Sequence, residues 1–203
     1  MKEKQTFFDR NYDYYREQLA PLLPETLVPV VGGKAENGGV TLPFFGENYS
    51  VSASGVSGHS GERPAYDVCV ILFRYLLNCP EKEPREKQWA AYRDFRDAAP
   101  LITYFTNEVE KAIALRFENN LPGLKRAGEA LGGYRPNLDV TCDLALQFDA
   151  LPRVPVVLLF NDVDDEFAPD CSMLFQRRTE TFLDAECIAM LGRQLFVRLT
   201  EEK

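Results

Sequence analysis

Residues 151–175 read LPRVPVVLLFNDVDDEFAPDCSMLF, and the fold turns on how this stretch is read. It opens with an uninterrupted apolar run at 154–160, passes through an acidic patch at Asp162, Asp164, Asp165 and Glu166, meets Pro169, and closes with a second short apolar run at 173–175. An apolar run of that length bounded by turn residues suits a strand buried in a core. The stretch therefore reads as a buried strand, an exposed polar turn and a returning strand.

Upstream, residues 139–148 alternate: Val140, Cys142, Leu144, Leu146 and Phe148 set against Thr141, Asp143, Ala145 and Gln147. That period of two predicts a half-buried strand, joined to 154–160 through a hairpin short enough to be tight. Downstream, 184–199 carries Ile188, Leu191, Leu195 and Leu199 at helical spacing, with Asp184 placed to cap the first turn. Residues 66–77 are apolar nearly all round, which predicts a central buried helix, opened by Pro64 and stopped by Asn78 and Pro80. Phe8, Tyr12, Tyr15 and Leu19 predict a helix over 6–19, ended by Pro21 and Pro24. The four glycines of 29–39 predict a loop.

Runs at 40–45 and 49–53 around Gly46 predict a hairpin, 54–61 a flexible Ser/Gly segment, and 88–95 either a short strand or an edge segment. Helices are expected at 100–119 and 121–131, the second stopped by Gly132-Gly133. Adjacent strand pairs interleaved with helices argue for an α+β fold, with a mainly antiparallel sheet, a buried central helix and flanking helices.

The 203 residues suit a single domain spanning 1–203, and 45% hydrophobic residues supply one sizeable core. A net charge of −8, with no run of Lys or Arg longer than two, disfavours nucleic acid and anionic membrane surfaces. The charged, aromatic start MKEKQTFFDRNYDYY lacks the apolar region of a signal peptide, and no stretch reaches the roughly 20 apolar residues of a span. Five scattered cysteines with no CxxC pair read as reduced thiols, so a cytoplasmic protein is expected.

Four constellations bear on chemistry. Asp162, Asp164 and Glu166 alternate, so an extended chain would put them on one face, where with Asp165 they form the candidate ligand-binding group. Carboxylates so spaced suit a divalent cation. However, Phe167 stands where a calcium loop needs Gly and Met173 where it needs Glu, and acidic turns are most often simply hydrated. Gly58-His59-Ser60-Gly61-Glu62 approaches a nucleophile elbow, but Glu62 replaces its last glycine and His59, the one histidine, precedes the serine instead of following it. Cys171 follows carboxylates that raise a thiol's pKa, and one histidine without paired cysteines argues against zinc. Arg177, Arg178 and Arg193 read as surface ion-pair partners of the acidic turn. No phosphate-binding glycine motif is present, and the residues name no cofactor.

Residues 63–78 (RPAYDVCVILFRYLLN), 89–95, ALGG at 130–133, ALPRVPVVLL at 150–159, DDEF at 164–167, 173–175 and FLDAECIAMLG at 182–192 together resemble an uncharacterised prokaryotic family of unknown function. The family is seen mainly in anaerobic bacteria and archaea, and some members are joined to iron–sulfur segments. The resemblance covers nearly the whole chain and implies no catalytic residue. It departs at Phe167-Ala168-Pro169, where the family has Phe-Pro-Ala, and at Gln176, where Asp is usual.

The expected role is a ligand- or partner-binding accessory module with its site near residues 162–170. The alternatives are a divalent-metal enzyme using the same carboxylates, and a structural subunit that meets a protein partner or its own copy through Phe7, Tyr12 and Tyr14.

Overall fold

A computed structural model describes residues 7–201. Aromatic residues at helical spacing begin the chain as α1 (Phe7–Leu19), whose Tyr12 and Leu19 are buried. Phe8, expected on the same face, stays 55% exposed at its rim and meets the Tyr66 ring. Pro24 does not merely end α1. It occupies the first turn of α2 (Pro24–Val31), so the predicted loop over 29–39 is corrected at its start. A proline costs nothing at that position, where its missing N–H has no helical partner.

β1 (Lys34–Glu36), β2 (Gly39–Phe44), β3 (Glu47–Ser52) and β4 (Gly55–Ser57) form an antiparallel meander in that order. The predicted hairpin is its centre, and β4 lies in the segment expected to be flexible. Short alternating strands next to a formed sheet gain ladder bonds that local composition does not reveal. The β2–β3 turn is Phe45-Gly46, both at positive φ (47° and 81°), the geometry that matches strand twist in a two-residue hairpin. Phe45 is buried, and its N–H donates to the Ala150 carbonyl at 3.0 Å, fastening this sheet to the next.

α3 (Tyr66–Leu77) is the buried central helix, packed against α1 and the C-terminal helix. β5 (Trp89–Ala91) is the edge strand expected in that region. The next helix is interrupted: α4 (Ile102–Phe105) passes through a π-turn (Thr106–Glu110) into α5 (Lys111–Arg116). α6 (Leu121–Ala130) ends where Gly132 N–H bonds Glu129 O and Gly133 N–H bonds Gly128 O, with Gly132 at φ 82°.

β6 (Leu144–Leu151), β7 (Val154–Asn161) and β8 (Asp170–Gln176) complete the second antiparallel sheet, ordered β5-β8-β7-β6. β6 starts five residues later than its alternation suggested. The stretch 139–143 is irregular, and Val140 is 40% exposed, so apolar spacing there found no partner strand. α7 (Thr179–Phe182) and α8 (Ala185–Thr200) close the described chain, and Asp184 caps α8 by accepting from Cys187 N–H at 2.9 Å.

Side chains on one face of the second sheet stack in rows across three strands: Phe148–Val156–Phe175, Leu146–Leu158–Met173 and Leu144–Phe160–Cys171. The helices lie on this face. Gly192 of α8 approaches so closely that a Cβ would stand 2.5 Å from Phe105 and 3.4 Å from Met173 Sδ. Gly128 of α6 plays the same part against Leu146.

β5 covers β8 only as far as Leu174. Beyond it, Met173 N–H donates to Glu110 Oε1 at 3.0 Å, so the π-turn supplies an acceptor where the ladder stops. Burial pushes the Glu110 carboxyl above its ordinary value, against the lowering effect of that bond. The folded chain therefore holds this proton more tightly than the unfolded one, and the group favours folding least once pH has risen through its folded pKa. Glu110→Ala, which strands a buried N–H, should cost about 1–3 kcal/mol in urea denaturation. Glu110→Gln, which keeps an acceptor, should gain on the parent protein as pH is raised from about 4 to 7.

Candidate functional site

The acidic loop between β7 and β8 is not extended, so its carboxylates do not share a face. Asp162 Oδ1 accepts from Asn119 N–H at 2.8 Å and Val163 N–H at 2.9 Å, bracing the turn between α5 and α6. Asp164 Oδ1 accepts from Glu166 N–H at 2.8 Å and Phe167 N–H at 2.7 Å, folding the loop over itself. Short carboxylate side chains do this wherever a turn leaves amides unpaired. Asp165 and Glu166 are exposed, and Phe167 beside them is 68% exposed. Among the described residues, no group of three His, Cys, Asp or Glu side chains stands close enough to hold a metal ion.

A cleft of about 640 Å³ opens elsewhere, where the start of β3, the 58–65 loop, the first turn of α3 and the last turns of α8 meet. That volume lies within the range of small-molecule sites. Its lining combines apolar groups (Pro64, Ala65, Val68 and Val197) with polar ones, among them Glu47, Tyr49, His59, Ser60, Glu62, Gln194 and Arg198.

The polar groups are positioned by local structure. Glu47 and Tyr49 are two apart on β3 and so project to one side of the sheet. Gln194 and Arg198 are four apart on α8 and share its face. The 58–62 loop closes on itself through Gly58 N–H to Glu62 O at 3.0 Å and Gly61 N–H to Gly58 O at 3.1 Å, with Gly61 at φ 86°.

Arg198 is the centre of the cleft's electrostatics. Nη1 donates to Glu47 Oε2 at 2.7 Å and Nη2 to the Tyr49 hydroxyl at 3.2 Å, while Tyr49 donates to Glu47 Oε2 at 2.9 Å. The guanidinium also lies over the Phe44 ring. Burial opposes its charge, but the bonds to Glu47 and Tyr49 outweigh that and raise its pKa. The Arg198 side chain is 10% exposed, and its Nε–H is buried without an acceptor among the described residues. Gln194 Nε2 donates to Asp67 Oδ2 at 2.6 Å, tying α8 to α3. A hydrogen bond from Ser60 holds the Glu62 carboxyl below its ordinary value.

The elbow-like motif thus forms one wall of the cleft, and its serine bonds Glu62. It follows β4, an edge strand, not a core one. Burial raises the thiols of Cys69, Cys79, Cys171 and Cys187, so none of these four is set up as a nucleophile. Arg177 and Arg178 do not reach the acidic loop. Arg177 bonds the Asp94 carbonyl at 2.5 Å, and Arg178 pairs with Glu83 at 3.1 Å. Glu83 also pairs with Arg153 at 3.1 Å, in the β6–β7 turn.

Sequence reasoning found His59, Ser60 and Glu62 as a motif but not Glu47, Tyr49, Gln194 or Arg198. A signal existed on α8, where two polar residues at helical spacing adjoin the apolar stripe. Nothing in the sequence pairs them with β3.

The described residues therefore form an acidic α+β protein with two antiparallel sheets and packed helices, and a polar cleft lies between the meander and α8. The chain belongs to the DUF3786 family, a domain of unknown function whose model matches residues 24–198, from the start of α2 almost to the end of α8. No match is found among curated proteins or among solved structures.

Asp162→Ala removes the acceptor for two backbone amides and should destabilise the chain by about 1 kcal/mol. Asp165→Ala and Glu166→Ala should each stay within about 0.5 kcal/mol of the parent in the same urea titration.

Proposed function

We propose that this chain is a small-ligand-binding module and that the cleft beside Arg198 is its site. One observation carries the reading: three separate segments of the chain, β3, the 58–62 loop and the end of α8, bring polar groups to a cavity that is also lined by Pro64, Ala65, Val68 and Val197. Converging polar groups on a mostly apolar concavity are what fix a ligand's orientation. The module works as one folded unit in the cytoplasm, a reading supported by the reduced, scattered cysteines. The net charge of −8 supports partners other than nucleic acid. Origin in anaerobic prokaryotes and company with iron–sulfur proteins remain part of this proposal, resting on the family resemblance alone.

A second reading concerns the loop at 162–169. Phe167, 68% exposed next to Asp165 and Glu166, gives the loop an apolar tip with a charged flank, which suits contact with a protein partner of basic surface. A divalent-metal enzyme built on these carboxylates is less well supported, because the Asp162 and Asp164 side chains already serve backbone amides.

Melting curves measured against a library of small polar compounds distinguish the two sites. Compounds that raise the melting temperature of the parent protein should fail to do so for Ser60→Ala/Glu62→Gln and should succeed with Asp165→Ala/Glu166→Ala/Phe167→Ala. Retained shifts in the first variant would remove the cleft as the site. A partner that co-purifies with the parent but not with the second variant would establish the loop as a contact.

A further inference from the structure

His59, Ser60 and Glu62 reach the cleft from an exposed turn between β4 and α3. The backbone bonds of Gly58 and Gly61 close that turn on itself, but they do not fix where it stands relative to α8. Its place is set where the chain enters it and where the chain leaves it.

Both of those points rest on one side chain of α1. The Tyr12 hydroxyl accepts from Val56 N–H at 2.8 Å, just ahead of the turn. The Arg63 guanidinium, just past the turn, lies over the Tyr12 ring with its Cζ 3.6 Å from the ring centroid. A cation in that position is held by the negative face of the ring. Tyr12 is 7% exposed, and its ring packs on Phe73 of α3 with centroids 5.3 Å apart, so the clamp is itself seated in the core.

The strand edge is shaped for this contact. β3 pairs with one edge of β4, and the other edge is left to Tyr12. Gly55, at φ 131°, leaves room for the hydroxyl, since a Cβ there would stand 2.3 Å from the Tyr12 oxygen. Without that oxygen the Val56 N–H would be buried with no acceptor. Neighbouring residues of α1 repeat the connection. Arg16 Nε donates to Ala53 O at 2.9 Å, Asn11 Nδ2 donates to the Tyr66 hydroxyl at 3.2 Å, and Asp9 lies 3.5 Å from Arg63. These contacts fall on residues 53–66, the segment that contains the turn. α1 itself lies ahead of the stretch that the family model matches.

We infer that Tyr12 is a positioning residue for the cleft: by holding the chain on both sides of the 58–62 turn it sets where His59, Ser60 and Glu62 stand, and so ties binding in the cleft to the docking of α1. This step rests on the cleft being a binding site.

Amide hydrogen exchange resolved by residue with NMR, together with calorimetry, tests it on the full-length chain. Tyr12→Phe removes the hydroxyl and keeps the ring. Arg63→Ala removes the guanidinium, which is exposed and outside the cleft's lining. In each variant the Gly58 and Gly61 amides should exchange about fivefold faster, while those of 156–160 in β7 stay within about twofold of the parent. Compounds whose stabilising effect depends on Ser60 and Glu62 should bind each variant about threefold more weakly, because the turn spends less time in the binding geometry. If Tyr12→Phe fails to fold by circular dichroism, Arg63→Ala decides.

Faster exchange confined to Val56 would reduce the hydroxyl to a strand-edge partner, and equal acceleration through 156–160 would reduce Tyr12 to global stability; either result overturns the inference. Compound affinities unchanged in both variants overturn it as well. If the turn loosens as expected and no compound binds the parent, the hold of Tyr12 on the turn stands and the cleft as a binding site falls.

Discussion

The close approach of helices to one face of the second sheet is the constraint on which the remaining architecture depends. Three rows of apolar side chains cross β6, β7 and β8 on that face; Gly128 lets α6 approach Leu146 there, and Gly192 lets α8 close on Phe105 of α4 beside Met173. Interiors pack at crystal-like density, so a Cβ within 2.5 Å of Phe105 or Leu146 has nowhere to go. With α8 in place, α3 packs between α8 and α1, and the meander meets α2 and β6 of the second sheet.

Polar ties lock the layers where burial leaves backbone groups unpaired. Tyr75 on α3 is fully buried, donates to Val31 O at 2.6 Å and accepts from Arg153 N–H at 3.2 Å, so one hydroxyl joins the end of α2 to the β6–β7 turn. Arg153 Nε reaches back to Val30 O at 2.9 Å. Tyr12 accepts from Val56 N–H at 2.8 Å, which fixes β4 against α1. Arg74 and Asp184 pair across the start of α8, with Asp184 also capping that helix. Burial alone would raise the Asp184 pKa; the bonds from Cys187 and Arg74 reverse this and lower it. The Tyr75, Arg153 and Tyr12 bonds link segments far apart in the chain and satisfy backbone groups that packing alone would leave unmet.

The cleft is a product of the same arrangement. The last turns of α8 meet β3 and the 58–65 loop there, leaving a space lined by all three. Arg198 spans this junction, with its stem in the core, its guanidinium over Phe44 and its donors spent mainly on β3. It is both a tie between α8 and the meander and a charge at the edge of the cleft.

Local pattern alone determined much of this protein. The apolar run at 154–160, the all-round apolar helix at 66–77, the capped C-terminal helix and the antiparallel α+β organisation all follow from periodicity, because a buried face must repeat with its own secondary structure. Pattern was insufficient where a neighbour decides the outcome. β4 forms only because β3 lies beside it, α2 because its apolar face has a core to enter, and 139–143 stays irregular for want of a partner strand. The acidic residues were legible as a cluster, but their use was not. Whether Asp162 faces a ligand or braces Asn119 depends on where the α5–α6 turn arrives in space. The cleft was hidden for the same reason. Its walls come from residues 47–49, 58–65 and 194–201, separated by most of the chain, and no spacing in a sequence records a meeting that only tertiary packing brings about.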